Sequence, residues 1–325
     1  MRSRRQVTAG LLALAGSAAL GAAPAIARAQ SSSAAPREFK VGFQKGAAIL
    51  VLARKQQVFE KRLKALGVES VKWVEFQFGP PLLEGLGLGA VDIGAVGDTP
   101  PIFAQVAGAR LVYAAATPSA QHAILVPADS PIKTVADLKG KRVAFGKGSS
   151  AHNVTVKALA LAGLSIKDVE PTYLAPADAT AAFTGKRIDA WTVWDPYYAL
   201  AEQKYGGRVI ADTSDRRLAS HSFYLANRAF AEQYPAVLEA VLDELGKLVA
   251  WAGRHRGELA ALSSEVTGVD VKALETAFAR AEFSFGPVTD AHVAQQQQLA
   301  GTLYDLGIVP RKVDVAEIVW RRPGK

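Results

Sequence analysis

The residues best suited to chemistry form a glycine-flanked turn that leads from an apolar run into a helical pattern. The turn reads Gly-Lys-Gly-Ser-Ser-Ala-His-Asn over residues 146–153, after the apolar run 142–145 and before a helical pattern that starts near Val154. The first N–H groups of a helix lack intrahelical partners, so this turn predicts an anion-binding site. Plain capping, in which a serine oxygen accepts one of these N–H groups, is the alternative.

Two other interpretations of this turn fail on its spacing. The segment does not match the P-loop pattern, and no dinucleotide pattern of three spaced glycines occurs. Ser150 is followed by Ala151 and His152, whereas the serine-hydrolase turn requires a glycine two residues after the serine. Nucleotide binding and serine-nucleophile chemistry therefore lose support.

A second turn of the same kind lies earlier in the chain. The apolar residues 92–96 are followed by Gly-Asp-Thr-Pro-Pro over residues 97–101, with Thr99 in a cap position and Pro100 in a first helical position. In open α/β sheets, ligands bind at the carboxyl ends of the strands. One such turn in each half of the chain predicts two helix N-termini that face each other across a cleft.

Strand and helix patterns alternate from residue 39 to residue 226, and only helical patterns follow. This alternation predicts an α/β fold with sheets rich in parallel strands. The strand candidates are 39–43, 71–76, 92–96, 111–116, 123–127, 142–145, 169–174, 190–193, 209–211 and 222–226.

We expect two small sheets that the chain joins by crossing once outward, near residues 126–131, and once back, near residues 212–222. Lobe 1 is then residues 39–124 and 223–325, and lobe 2 is residues 125–222.

The N-terminus resembles an export signal. Arg4 and Arg5 precede a mildly apolar stretch that is too short to span a bilayer, and a small-residue cleavage site lies at residues 27–29. This pattern predicts a twin-arginine signal peptide over residues 1–29, a polar leader over 30–38 and a periplasmic location. A stably anchored N-terminal helix is the alternative.

Charge and composition narrow the function further. The formal net charge is +8, and the predicted signal peptide removes four arginines and no acid. The remaining basic residues are scattered among acidic ones, which gives nucleic-acid binding no support. The chain has no cysteine, and its five histidines show no metal-ligand spacing, so we expect no cofactor and no metal.

Several motifs then resemble one family. They are Gln44-Lys-Gly46, Gly97-Asp-Thr-Pro-Pro101, Gly146-Lys-Gly-Ser-Ser-Ala-His-Asn153, Asp189-Ala-Trp191, Trp194-Asp-Pro-Tyr-Tyr198 and Ser222-Phe-Tyr-Leu-Ala226. In this order they resemble the periplasmic aliphatic-sulfonate-binding proteins of ABC importers, in the same group as taurine- and nitrate-binding components. Phe78, where the family has a small residue, and the residues 219–221 depart from the pattern.

The resemblance implies a two-lobed type II binding protein in which each lobe is a mixed sheet flanked by helices. Two crossing strands act as the hinge, and the helical C-terminal segment belongs to lobe 1. It also implies an alkanesulfonate ligand, a permease and its ATPase as partners, and a monomer. Taurine, nitrate, an aryl sulfonate or a sulfate ester remain alternative ligands, and an enzyme on the same fold is a further alternative.

The resemblance and the two turns together select ten candidate ligand-binding residues. They are Gln44, Gly97, Asp98, Thr99, Ser149, Ser150, Ala151, Asn153, Trp194 and Asp195. Backbone N–H groups, hydroxyls and the Gln44 amide hold the anion, while Asp98 orients its turn. Trp194 is favoured over Trp191 as an apolar wall, with Phe43, Phe103 and Tyr197 nearby. Asp195 either binds an amine on the ligand or pairs with a donor that closes the lobes.

Overall fold

A computed structural model describes residues 35–322 of the chain. The predicted signal peptide, its cleavage site and most of the polar leader lie outside these residues and remain predictions. Among the described helices, none has the length and apolar character needed to cross a membrane.

Ten strands form two five-stranded sheets within the described residues. They are β1 (Glu38–Phe43), β2 (Ser70–Glu75), β3 (Ile93–Gly97), β4 (Leu111–Pro118), β5 (His122–Pro127), β6 (Arg142–Phe145), β7 (Glu170–Tyr173), β8 (Ala190–Trp194), β9 (Gly207–Asp212) and β10 (His221–Asn227). Each coincides with a predicted strand to within two residues at either end. The order is β2-β1-β3-β10-β4 in the first sheet and β7-β6-β8-β5-β9 in the second.

Both sheets are mixed, as predicted. In the first sheet β1 runs parallel to β2 and β3, whereas β10 is antiparallel to β3 and β4. In the second sheet β6 runs parallel to β7 and β8, whereas β5 is antiparallel to β8 and β9. Each sheet therefore consists of three neighbouring parallel strands, followed by two strands that lie next to a crossing of the chain.

Twelve α-helices flank the sheets in the described chain. They are α1 (Ala48–Lys55), α2 (Val58–Lys64), α3 (Gly79–Gly87), α4 (Thr99–Val106), α5 (Ser150–Leu161), α6 (Pro176–Thr184), α7 (Tyr197–Lys204), α8 (Arg228–Gln233), α9 (Pro235–Arg254), α10 (Arg256–Thr267), α11 (Val271–Arg280) and α12 (Asp290–Asp305). The predicted helical C-terminal segment is confirmed. The apolar face of α9, from Val237 to Val249, is buried in the core of the first sheet's lobe because its leucines and valines recur at helical spacing.

We define lobe 1 as the residues that carry the first sheet and the C-terminal helices, 35–118 and 221–322, and lobe 2 as residues 122–212. The chain passes between them at residues 119–121 and returns at 213–220. The two passages are joined because the His122 N–H donates to Thr213 Oγ1 at 2.9 Å and the Thr213 N–H donates to the His122 carbonyl at 3.0 Å.

The predicted outward crossing at residues 126–131 is wrong. Val126 and Pro127 still belong to β5 and pair with Arg208 and Gly207 in the second sheet. The prolines at 127 and 131 mark the end of a strand inside lobe 2, whereas the true crossing follows Pro118 at the end of β4. The predicted boundary after residue 124 therefore falls inside β5.

Candidate functional site

The two turns predicted from the sequence meet across the lobes. Gly97, at the end of β3, lies so close to α5 that an added Cβ would be 2.7 Å from Ser150 Cβ. A cavity of about 190 Å³ lies between the lobes at this contact, and both residues line it. The lobes are thus closed on each other.

The start of α5 supplies unpaired N–H groups to this region. Gly148 has φ of +70°, a backbone conformation that favours glycine, and it turns the chain into Ser149 and α5. Ser149 Oγ donates to the Gly146 carbonyl at 2.7 Å and caps no N–H of the helix, so the plain-capping alternative is wrong. Within residues 35–322, neither the Ser150 nor the Ala151 N–H has a protein acceptor.

The start of α4 differs because it is poor in donors. The N-cap is Asp98 and the first helical residue is Thr99, one residue earlier than predicted. Pro100 and Pro101 follow and have no N–H. The two helix N-termini face each other as predicted, but α5 presents more hydrogen-bond donors.

Asp98, Thr99 and Asn153 form a buried hydrogen-bonded contact between the lobes, and none of the three lines the cavity. Thr99 Oγ1 donates to Asp98 Oδ1 and Asn153 Nδ2 donates to Asp98 Oδ2, each at 2.7 Å. Burial raises the pKa of Asp98. These candidate ligand residues join α4 to α5 from behind the cavity.

His122 lines the cavity and was not predicted. It is 1 % exposed, and its Nε2 lies 2.8 Å from Ser150 Oγ while its Nδ1 lies 2.7 Å from the Ala120 carbonyl. Burial lowers the pKa of His122 to about 4, so the ring is neutral at pH 7. No local pattern in the sequence marked His122, because its partner Ser150 lies 28 residues away.

Two further candidates line the cavity from opposite lobes. The Gln44 amide is held by a hydrogen bond from Nε2 to the Ala95 carbonyl at 2.8 Å. Trp194 is partly buried beside His122, with ring centroids 6.1 Å apart. Trp191 and Phe43 instead lie in the cores of their lobes, and Ala151 packs its side chain into the core of lobe 2.

Lobe 1 contributes an apolar part of the cavity lining. This part comprises Ile49, Val249, Leu274, Phe278 and Phe283, and the exposed Glu282 also lines the cavity. No lysine or arginine lines the cavity among the residues that the structure describes.

Asp195 lines the cavity and pairs with a donor from the other lobe. Arg280 on α11 places Nε 2.9 Å from Asp195 Oδ2, and Nη2 donates to Oδ1 at 3.2 Å. The Arg280 guanidinium also lies 3.7 Å from the centre of the Tyr198 ring. Burial still raises the pKa of Asp195 to about 6, because desolvation outweighs the attraction of Arg280.

The two departures from the family pattern also have defined places. Phe78 reaches across the lobes, since a Cβ added to Gly146 would lie 3.3 Å from its ring. The His221 ring packs edge-on against His292, with centroids 4.7 Å apart. Neither residue lines the cavity.

Comparison with known families now assigns this architecture. The model of the NMT1-like family matches residues 32–264, which is more than half of the chain. The chain belongs to the NMT1-like family. This NMT1-like protein is also 43 % identical over 296 residues to a protein of Escherichia coli (strain K12) named as an aliphatic sulfonates-binding protein, an alignment that spans 90 % of this chain and 92 % of the relative.

Solved structures agree with the fold of the NMT1-like protein. The alkanesulfonate-binding protein SsuA of Xanthomonas axonopodis pv. citri, bound to MOPS, superimposes with a TM-score of 0.83 at 38 % identity, over 88 % of this chain and 99 % of that one. The desulfurization enzyme DszB matches with a TM-score of 0.63 at 16 % identity, a likeness of fold alone. The predicted two-lobed α/β fold is confirmed.

Proposed function

We propose that this chain is the extracytoplasmic solute-binding component of an ABC importer and that it binds aliphatic sulfonates between its lobes for sulfur acquisition. A permease and its ATPase are the partners in this proposal, and the protein acts as a monomer exported by the twin-arginine route. The family, the names of the relatives and the export pattern of residues 1–29 support it.

The observation that carries the proposal is that the cavity lining combines hydrogen-bond donors with apolar side chains from the two lobes. The first turn of α5 in lobe 2 contributes Ser149 and Ser150, and lobe 1 contributes Ile49, Val249 and Phe283. A ligand with an anionic head and an alkyl tail contacts both lobes at once. It therefore favours the closed state through its contacts to each lobe.

The first turn of α5 suits a sulfonate head group. A sulfonate offers three acceptor oxygens and no proton, and it keeps its charge at every physiological pH. The N–H groups of Ser150 and Ala151 and the dipole of α5 stabilise such a charge without a buried cation.

The alternative ligands differ in which parts of the cavity lining they can contact. Nitrate has no tail and leaves the apolar part of the lining from lobe 1 without a partner. Taurine carries an ammonium group, and the nearby Asp195 carboxylate is already paired with Arg280. An aryl sulfonate or a sulfate ester carries both a head and a tail and is the closest competitor.

Catalysis has one geometric feature in its favour, because Ser150 Oγ and His122 Nε2 lie at the distance of a nucleophile and its base. A general base works best when its pKa is near the working pH, whereas burial lowers the pKa of His122 to about 4. We therefore propose binding without turnover.

Calorimetric titration with a series of ligands tests the proposal. We expect affinity to rise from ethanesulfonate to pentanesulfonate by about fourfold for each methylene, since a buried methylene contributes about 0.8 kcal/mol. Hexanoate, with one acceptor oxygen fewer, binds more weakly because a donor stays unpaired. Tighter binding of nitrate or of a neutral solute would contradict the sulfonate assignment.

A further inference from the structure

The Ser150 hydroxyl has its proton committed to the protein in the closed structure. The Ala120 carbonyl is only an acceptor, so the His122 Nδ1 beside it carries a hydrogen. In a neutral imidazole Nε2 is then an acceptor, and the 2.8 Å contact requires Ser150 Oγ to donate to it. Ser150 therefore turns oxygen lone pairs, and no proton, toward the cavity.

The Ser149 hydroxyl does not offer a proton to the cavity either. Its hydroxyl donates to the Gly146 carbonyl at 2.7 Å. Both serine hydroxyls at the start of α5 thus present acceptor lone pairs to a head group that itself consists of acceptor oxygens. Such a pairing is unfavourable in a buried site, where unmatched polar atoms are costly.

Protonation of His122 removes the mismatch. An imidazolium donates from both ring nitrogens, so Nε2–H donates to Ser150 Oγ and the Ser150 O–H is released toward the head group. The bound anion in turn favours the charged ring, which raises the pKa of His122 above its value of about 4 in the free protein.

Charged groups around His122 determine how far a bound anion raises its pKa. Lys157 on α5 opposes the imidazolium charge. Two carboxyl groups belong to residues that pair with the chain next to His122. Asp212 at the end of β9 pairs with Ala123, and Asp195, one residue after β8, donates its N–H to the Gln121 carbonyl. Thr213, which accepts a hydrogen bond from the His122 backbone N–H, is neutral.

We propose that the protein takes up one proton on His122 when it binds an organosulfonate, and that His122 is the positioning residue that turns the Ser150 hydroxyl toward the head group. This inference rests on the proposed function. Under this inference the affinity for a sulfonate depends on pH, although the charge of the sulfonate itself does not.

The test is calorimetry with pentanesulfonate at pH 5.5 and pH 8, in buffers that differ in ionisation enthalpy. We expect uptake of about one proton per ligand at pH 5.5 and almost none at pH 8. The Kd falls by at least about tenfold from pH 8 to pH 5.5. His122→Gln and Ser150→Ala, each checked for native circular dichroism, lose both the uptake and the pH dependence.

Two controls separate His122 from other titrating groups. His152→Gln removes another buried histidine with a lowered pKa, and it retains the proton uptake because His152 does not line the cavity. Proton uptake that persists in His122→Gln and disappears in Asp195→Asn would overturn the assignment. Tight binding without proton uptake in the natural sequence overturns this inference alone, whereas no binding of any sulfonate overturns the proposed function as well.

Discussion

Four buried ionisable side chains have opposite effects on how stability depends on pH. Burial raises the pKa of Asp92 and Asp195 to about 6 and lowers the pKa of His122 and His152 to about 4. Between pH 4 and 6 the folded carboxyl groups hold protons that the unfolded chain has released, so acidification stabilises the fold. The folded imidazoles lack protons that the unfolded chain holds below pH 6.5, so acidification destabilises it. The two pairs therefore offset each other.

His152→Phe is expected to expose this compensation. The His152 ring stacks on Phe145 with centroids 4.9 Å apart, and phenylalanine keeps this stacking but loses the contact from the Gly148 N–H to His152 Nδ1 at 3.3 Å. Relative to the natural sequence, the variant gains about 2 kcal/mol in unfolding free energy between pH 7 and pH 5, because the destabilising histidine is gone. Urea unfolding at the two pH values measures this.

Asp92→Asn is the matched control and changes the pH dependence of stability in the opposite direction. It removes a carboxyl group whose protonation stabilises the fold, so the variant loses stability on acidification relative to the natural sequence. An unchanged pH dependence in His152→Phe would show that the His152 pKa is not lowered in the folded protein.

At the scale of secondary structure, closure depends on how near β3 can approach α5. Gly97→Ala places a methyl group 2.7 Å from Ser150 Cβ, closer than atoms of two lobes can approach. We expect native circular dichroism and a Kd for pentanesulfonate that is weakened at least about tenfold, because the closed state becomes less populated. Calorimetry measures the affinity.

Gly257→Ala on α10 is the control for the Gly97 substitution. An added Cβ meets no atom within 4 Å there, and alanine favours a helix. Its Kd equals that of the natural sequence. Equal affinities for Gly97→Ala and Gly257→Ala would mean that the approach of β3 to α5 does not control closure.

Strands and helices were predictable because each carries its own periodicity and end signals. The facing turns at Gly97 and Ser149 also followed from local patterns. The crossing at 119–121 did not, because Pro118 before it is no stronger a signal than Pro127 and Pro131, which end a strand inside lobe 2. His122 and Arg280 were missed for a related reason. Their partners, Ser150 and Asp195, lie 28 and 85 residues away, and only the folded chain brings them together.

At the scale of the whole molecule, α11 belongs to lobe 1 but packs on α7 of lobe 2. Arg280 pairs with the buried Asp195 and with Glu202 at 3.0 Å, and Lys204 pairs with Asp270 at 2.7 Å. These contacts form only when the lobes are closed, and breaking the buried Arg280 pair is expected to cost the closed state more than breaking the exposed Lys204 pair. We therefore expect the ligand to supply only part of the free energy of closure.

Arg280→Met tests this division. The substitution leaves the Asp195 carboxyl buried without its cation, so the closed state loses stability. We expect the radius of gyration of the ligand-free protein to increase in small-angle X-ray scattering. The Kd for pentanesulfonate weakens at least about tenfold.

Lys204→Met is the control in the same interface. The Lys204 pair with Asp270 is more exposed than the Arg280 pair with Asp195, and exposed pairs contribute about 0–1 kcal/mol. Its scattering profile and Kd match those of the natural sequence. Indistinguishable profiles for Arg280→Met and the natural sequence would show that the ion pair does not hold the lobes together.

The position of Trp194 gives the protein an optical property. Its indole lies in lobe 2 at the cavity, and its Nε1 would be 3.9 Å from a Cβ on Gly46 in lobe 1, so opening the lobes exposes it to water. Trp191, by contrast, is 1 % exposed inside lobe 2 and keeps its surroundings. Trp73, Trp251 and Trp320 pack against the core of lobe 1 and do not line the cavity. Of the five tryptophans in the sequence, Trp194 is therefore the one whose emission wavelength is expected to shift on closure, and ligand binding can be followed without an attached dye.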